Sequence, residues 1–410
     1  VKLESGADVF EEMEPSFQLQ LVESLKTELV AKYVGEMDPD DAADLMEDLR
    51  EEDEELADEI LEALPESEAA DIQELLSYNE DSAGALMTSE YLWIPEDLTV
   101  SGAIDSYRSQ APPDSELSFY VYIVDGNGTL VGVTSIRNLL LAEPDEPIKD
   151  VRNDSPIKVH QDVDQEKVAK MFRKYDLVVL PVVDDWDQLL GIITIDDVVD
   201  VVVEEATEDM YRLSGTGTSD FEEGKLLHGK SIYAVWSRLP WLLVTILGGL
   251  VASYVMVFYS NHFPQGFVPL AVSLSFVPLL MGLGGNVGNQ SATIIVRGLA
   301  TGGLRDNDVM RILLRELVVG GLIGVLVGLV VFLITSFFGY HWQFAMIVAV
   351  SVVMNIIVAA IIGATLPIVF RKMNIDPAVA SAPFISTTLD IIGQIIYFGL
   401  TILLLHYVIS

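Results

Sequence analysis

The chain contains no cysteine in 410 residues, which excludes a disulfide framework and thiolate metal sites and leaves the redox compartment undetermined. Histidine is scarce too. The five histidines, His160, His228, His262, His341 and His406, are scattered, and none forms the His-Glu-x-x-His pair that a membrane zinc hydrolase requires. Basic residues are few, 23 Lys and Arg against 62 Asp and Glu, giving a formal charge of −39. Such acidity is the opposite of a nucleic-acid-binding footprint, so no nucleic-acid partner is expected. No charged segment followed by a short apolar run opens the sequence, so no secretory signal is expected either.

Charge of either sign nearly vanishes in the second half. From Leu239 onward there are five acids (Asp306, Asp308, Glu316, Asp376, Asp390) and six bases (Arg297, Arg305, Arg311, Arg315, Arg371, Lys372), leaving 57 acids and 17 bases ahead of them. The front therefore carries about −40 and the back about +1, which implies water around one part and lipid around the other. The acidic front is a solubilising, halophile-like coat, a binding surface for cations, or both. Carboxylate oxygens are the ligands that hard divalent ions prefer.

Five apolar stretches, approximately 239–260, 268–298, 310–338, 343–370 and 381–408, each reach the ~20 residues that a helix needs to cross the hydrocarbon core. Lys230 and Arg238 precede the first, Arg297, Arg305, Arg311 and Arg315 separate the second from the third, and Arg371 and Lys372 separate the fourth from the fifth. The connections at 261–266 and 338–342 carry no Lys or Arg. By the positive-inside rule the N-terminus is cytoplasmic and the C-terminus external, in the cell membrane.

Within these stretches charge is almost absent. Glu316, beside Arg311 and Arg315, reads as interfacial. Asp390 lies nine residues past Ser381, ~13 Å into its helix, and an acid at that depth marks an ion or proton path. The second stretch carries Pro278-Leu-Leu-Met-Gly-Leu-Gly-Gly-Asn-Val-Gly-Asn-Gln290. Proline and glycine weaken a helix, and polar backbone at membrane depth is tolerated only against protein or water. Close packing through small residues explains the glycines but not the amides of Asn286, Asn289 and Gln290. A pore lining explains both. One carboxylate per chain is a weak counter-charge for a divalent ion, and five spans cannot form two equal inverted halves. A two-fold homodimer with two Asp390 side chains about one path answers both points.

Ahead of the membrane, residues 1–80 read as short helices. Met37-Asp-Pro-Asp-Asp-Ala-Ala-Asp-Leu-Met-Glu-Asp-Leu49 is echoed by Leu64-Pro-Glu-Ser-Glu-Ala-Ala-Asp-Ile-Gln-Glu-Leu-Leu76, the Ala-Ala-Asp returning after 27 residues. A second duplication follows at an offset of 59: Val121-Tyr-Ile-Val-Asp125 with Leu130–Leu140, then Val179-Leu-Pro-Val-Val-Asp184 with Leu189–Val199. Each copy reads strand, turn, strand, helix. This resembles a tandem CBS pair, a module that often binds adenosine nucleotides. In that family a Ser or Thr followed three residues later by Asp holds the ribose, and the second repeat fits with Thr194 and Asp197. The first has Ser135 but Asn138. The resemblance thus offers Ser135, Arg137, Thr194 and Asp197 as nucleotide contacts, with ATP as a regulatory ligand, and helix capping as the plainer role of the same side chains.

Past the second repeat, Asp197, Asp200, Glu204 and Glu208 lie three or four apart and share one helical face, where like charges repel unless something neutralises them. Together with Gly284-Gly-Asn-Val-Gly-Asn-Gln-Ser-Ala-Thr293, Glu205-Ala-Thr-Glu-Asp209, and Asp376-Pro-Ala followed by Pro383 and Asp390, these residues resemble the MgtE family of magnesium channels. The resemblance implies a multidomain homodimer: an acidic α-helical N-domain (1–84), an α/β CBS pair (85–147 and 148–204), a connecting or plug helix (205–238) and a five-span α-helical membrane domain (239–410). It implies that Asp390 holds a hydrated Mg2+ on the dimer axis, with Gly282, Gly285, Asn286, Asn289, Thr293, Ser386 and Gly393 along the path. It also implies Mg2+-sensing carboxylates at Glu166, Asp176, Asp197, Asp200, Glu205, Glu208, Asp209 and Asp376, which close the pore when cytosolic Mg2+ is high. A pore-facing position that can carry Asn in the family is Ala382 here, a departure at the cytoplasmic mouth. An anion channel is disfavoured by an acid at the deepest polar spot; transport of Mn2+ or Co2+ remains an alternative, because all-oxygen sites bind several hard ions.

Overall fold

A computed structural model describes residues 4–11, 13, 15–110, 119–216, 231–263, 269–304 and 308–409. Lys230, Arg305 and residues 264–266 of the first uncharged connection lie outside the described residues. The chain divides into two compact units, Val1–Ala206 and Thr207–Ser410.

The first unit opens with six short helices: α1 (Glu4–Glu11), α2 (Pro15–Ser24), α3 (Thr27–Val34), α4 (Pro39–Glu52), α5 (Glu54–Ala63) and α6 (Glu66–Leu75). Their starts are written in the sequence. Pro39 occupies the first turn of α4, where its missing N–H costs nothing, and Asp53 caps α5 by accepting from the Leu56 amide at 3.1 Å. The two Ala-Ala-Asp copies fall on α4 and α6 but do different jobs. Ala42 and Ala43 are buried, whereas Ala69 and Ala70 are not, so only the α4 copy packs on neighbouring helices on both flanks.

The duplicated region forms two three-stranded sheets of the same design. β1 (Trp93–Pro95) pairs parallel with β2 (Tyr120–Val124), which pairs antiparallel with β3 (Leu130–Ser135). β4 (Val159–His160), β5 (Val179–Val183) and β6 (Leu189–Thr194) repeat that order. The copies agree down to a register shift between Ile123 and Val124 and between Val182 and Val183. In each hairpin an aspartate clamps the turn: Asp125 accepts from the Asn127 and Thr129 amides at 2.8 and 3.0 Å, and Asp184 from Trp186 and Gln188 at 2.9 and 2.8 Å. Helices α7 (Val100–Gln110), α8 (Ile136–Leu141), α9 (Ile148–Val151) and α10 (Gln165–Tyr175) flank the sheets. Tyr122, Val124 and Leu130 of one repeat share a core with Val183, Leu189 and Ile192 of the other, so neither repeat buries its apolar face alone.

Helix α11 (Ile195–Ser214) leaves the second repeat. The connecting segment expected over 205–238 is seen as the end of α11 and as the start of the next helix, which begins at Ser231 and runs without a break into the first span; residues 217–230 lie outside the described residues. Among the described residues of the second unit five helical stretches are long and apolar enough to cross a membrane: α12 (Ser231–Asn261), α13 (Leu270–Leu274) continued by α14 (Val277–Ala300), α15 (Val309–Phe337), α16 (Trp342–Lys372) and α17 (Ala382–Ile409). Helix α16 is the central one; Phe344, Val348, Val352 and Ile356 are buried against Val277 and Leu280 of α14, Val331 of α15, and Tyr397 and Phe398 of α17. Gly320, Gly324 and Gly328 line one face of α15, where a Cβ would lie 2.8 to 3.1 Å from Ala360, Val353 and Ala349 side-chain or backbone atoms of α16. Backbones that close gain dispersion contact in a solvent that offers helices no hydrophobic drive to associate.

Candidate ion path and cation-sensing residues

Helix α14 presents two faces of opposite chemistry. Asn286, Asn289, Gln290, Thr293 and Ile294 line an open hollow of about 470 Å3. The other face, Leu280, Gly284, Gly288, Ser291 and Ile295, is buried in the bundle. Thr293 turns its hydroxyl onto the Asn289 carbonyl at 2.9 Å, a bond that spares an apolar membrane from a bare hydroxyl. The side-chain oxygen of Asn289 is buried and has no hydrogen-bond partner among the described residues. Three residues expected along the path, Asn286, Asn289 and Thr293, are thus gathered in one hollow.

The other expected path residues divide. Gly285 meets Ser386 of α17, where a Cβ would stand 3.5 Å from the serine Cβ, and a Cβ on Gly282 would meet nothing within 4 Å. Gly393 is buried and faces Asn355 rather than open space. The glycines therefore serve both readings, with Gly284, Gly288 and Gly393 packed and Gly282 open. Asp390 is half-buried on α17 and has no hydrogen bond or ion pair with a described residue. Its neighbour Leu389 is buried and lies where a Cβ on Gly288 would sit, which keeps α17 against α14 at this level. Ala382 opens α17.

In the first unit the expected sensing carboxylates are individually engaged. Asp197 accepts from both the backbone N–H and the hydroxyl of Thr194, the former at 3.1 Å, while Ser135 accepts from the Asn138 amide at 3.1 Å. Ser135 is the N-cap of α8, and Asp197, in the first turn of α11, reaches back to Thr194 just ahead of that helix as the acid of a capping box does, so the plainer reading of the ribose-contact residues describes their contacts here. Arg137 follows on α8. Glu166 pairs with Lys170 at 2.6 Å, Asp176 closes α10 in a left-handed conformation with φ of 51°, and Glu205 accepts from Gln165 at 3.1 Å. Asp200 is exposed.

Burial, opposed by the Thr194 bonds, pushes the Asp197 carboxyl above the ordinary range, and burial does the same to Glu205. A stronger effect falls on a residue not singled out from the sequence. Asp40, at the start of α4, is pushed well above the carboxylate range by burial and then by the charge of Asp197. One of its oxygens is buried with no hydrogen-bond partner among the described residues. No three carboxylates or histidines among the described residues stand close enough to chelate a metal ion. Proximity of Asp40 to Asp197, 157 positions away, could not be read from either segment alone.

In the second unit Glu208 and Asp376 are brought together by a base. Arg212 ion-pairs with both. Asp376 also caps the short 3-10 turn Pro377–Val379 through the Ala378 amide at 2.8 Å, which fixes the connection between α16 and α17. Just past α11, Gly215 adopts φ of 75° and lies against Pro383 and Trp241, so the end of α11 rests where α17 begins. Asp209 is engaged as well.

Glu316, read from the sequence as interfacial, is turned into the helix bundle. It is 8% exposed and accepts a hydrogen bond from the Ser291 hydroxyl at 2.7 Å. It shares the inward face of α15 with Gly320, Gly324 and Gly328 at four-residue spacing, while Arg311 and Arg315 are exposed.

Five membrane-length helices, a half-buried mid-span acid and an amide-lined hollow, behind a CBS-type pair, define a multi-pass membrane protein of the cation-transporting class. Comparison with known sequences narrows this. The divalent cation transporter profile of MgtE matches residues 277–400, the MgtE intracellular N domain matches 1–81, and CBS domains match 83–145 and 148–204. The magnesium transporter MgtE of Thermus thermophilus is 37% identical over 377 residues, covering 90% of this chain and 80% of that one. The Bacillus subtilis protein of the same name is 32% identical, covering 97% and 86%. A crystal structure of the cytosolic domain of the Mg2+ channel MgtE in complex with ATP is 36% identical, with a TM-score of 0.47, covering 48% of this chain and 79% of that one. The chain belongs to the MgtE family of divalent cation transporters.

Proposed function

We propose that the chain is a Mg2+ uptake channel of the cell membrane that works as a homodimer with its N-terminus in the cytoplasm, and that cytosolic Mg2+ closes it. The observation that carries this reading is Asp390: an acid two turns inside an apolar helix, half-buried and unpaired among described residues, at the level where α17 packs on the amide-bearing α14. An isolated carboxylate in hydrocarbon is costly, so it calls for a cationic or aqueous partner. Mg2+ dehydrates reluctantly, and its water shell is best met by carboxylate and amide oxygens such as Asp390 and the orphaned Asn289 oxygen. Two protomers about one axis supply two such carboxylates.

Closure follows from electrostatics. Asp40, Asp197 and Glu205 resist ionisation where they stand, because the folded first unit crowds them. A divalent ion relieves that crowding and so favours the compact arrangement. It shifts the gate only by as much as it binds the closed form more tightly than the open one. ATP enters as a regulatory ligand at Ser135, Arg137, Thr194 and Asp197 only if it displaces the two caps; the Thr194–Asp197 pair is the element it would engage. Flux into liposomes with internal Mg2+ varied tests the reading: Mg2+ entry that falls as internal Mg2+ rises supports it. Equal flux of Mn2+ or Co2+ would favour a broader divalent transporter, and no divalent flux would end it.

A further inference from the structure

Beyond the hollow and Asp390, two buried polar side chains hold α14 from behind, and no step of permeation has used them. Glu316 of α15 takes the Ser291 hydroxyl at 2.7 Å. Asn355 of α16, 2% exposed, donates its side-chain amide to the Leu280 carbonyl at 2.7 Å. The Asn355 amide sits in a slot cut by two glycines: a Cβ on Gly284 would lie 3.0 Å from it, and one on Gly393 2.8 Å. Among the described residues Glu316 has no ion pair, although Arg311 and Arg315 stand on the same helix. Burying a carboxyl and an amide in a membrane bundle is costly unless each has a partner, and the partners here are both on one helix.

Their placement on that helix is what matters. At 3.6 residues per turn, Leu280 and Ser291 project about 20° apart around the axis of α14, and ~16 Å apart along it. Asn289 projects about 180° from Leu280, and Asn286 and Thr293 flank it at about 240° and 220°. Two polar contacts, one near its start and one past its middle, thus fix the rotation of α14 so that its amide face is held toward the hollow. Apolar contacts alone are non-directional and would tolerate a roll of the helix.

We infer that Glu316 and Asn355 are positioning residues that set the rotation of α14 and thereby the ion discrimination of the path. This rests on the channel reading above. The test uses full-length protein and two readouts. In proteoliposomes, Glu316→Leu, Ser291→Ala and Asn355→Leu each lower the ratio of Mg2+ to Ca2+ flux by about fivefold, the scale of one lost buried hydrogen bond, while Glu316→Gln keeps it within about twofold of wild type. A flux ratio does not depend on how much protein folds, and the one-atom change Ser291→Ala stands in should a leucine variant fail to assemble. Ser291→Ala with Glu316→Leu costs no more than either alone, because they share one contact. The second readout needs no transport. Because the chain lacks cysteine, thiol labelling of Asn286→Cys, Thr293→Cys and Val287→Cys reports which face of α14 is wet. Positions 286 and 293 label faster than 287, and losing either brace narrows that contrast about fivefold. Unchanged flux ratio and unchanged labelling contrast in the leucine and alanine variants overturn the inference. Wild-type protein that passes no Mg2+ ends the channel reading instead, and the labelling contrast still decides the brace.

Discussion

The regions before and after Leu239 use carboxylates in opposite ways. Ahead of the membrane there are 57 acids against 17 bases, and the effect comes from density: Asp40 has its pKa raised by burial and by Asp197, with further like charges behind. From Leu239 onward five acids remain, and position decides what three of them do: Asp376 caps a turn and holds Arg212, Glu316 holds Ser291, and Asp390 is left without a partner among the described residues. In water one more or one fewer charge in a crowd is a modest change. In lipid a single carboxylate needs its own reason to be there. Function should therefore respond steeply to single changes in the back and gradually in the front.

The largest effect expected is at Asp390. Asp390→Ala lowers Mg2+ flux on the order of 100-fold, the scale of about 3 kcal/mol for placing or removing a charge at mid-span, with size-exclusion behaviour unchanged. Full flux in that variant would break the comparison at its sharpest point. Next come the sensing acids. Asp197→Asn, Asp200→Asn and Glu208→Gln together raise the internal Mg2+ needed for half-closure by about tenfold, measured by liposome flux, since each removes part of the differential affinity for the closed form. An unmoved midpoint would separate the acidic front from gating.

A smaller effect concerns stability against pH. Asp40 and Asp197 have folded-state pKa values above the ordinary 3.8. The folded state therefore holds protons that the unfolded chain releases. Their favourable contribution is complete below about pH 3.8, and it is lost as pH rises through the raised values. In metal-free detergent solution the melting temperature of the full chain should fall as pH is raised from mildly acidic to neutral. Mg2+ should restore it at neutral pH, and Asp40→Asn should raise the neutral-pH value by about 2–5 °C while flattening the profile. Scanning calorimetry at several pH values checks this. A melting temperature that rises with pH would reverse the assignment.

Much of this was legible before any coordinates. Long apolar runs specify helices by length alone, so the five spans agree with the observed helices to within a few residues, apart from the first, whose helix already includes Ser231–Arg238 ahead of the expected start at 239. The offset of 59 foresaw the paired sheets, since identical spacing of β-branched residues and turn aspartates gives identical registers. The amides of α14 marked the face that lines the open hollow. What stayed hidden depends on which helix face meets which. Glu316 looked interfacial because its neighbours in sequence are basic, and only packing shows that it turns inward. Asn355, a lone amide in an apolar run, gave no signal. Arg212 and Asp376 are 164 residues apart, and nothing local links them.

That last pair sharpens the comparison most finely, because Arg212 places a front-style charge at the threshold of the membrane unit. Its guanidinium sits on Glu208 and Asp376, two carboxylates proposed to bind Mg2+, and so occupies them with a tethered cation. If the ion and the arginine compete, Arg212→Gln should lower the Mg2+ concentration for half-closure by about threefold, the modest scale of a partly exposed pair, and Arg212→Lys should stay near wild type. If the arginine instead latches the end of α11 to the α16–α17 connection, Arg212→Gln should raise that concentration. Liposome flux against internal Mg2+ separates the two signs. Adding Asp376→Asn to Arg212→Gln should remove the difference only under competition, because the contested carboxylate is then gone.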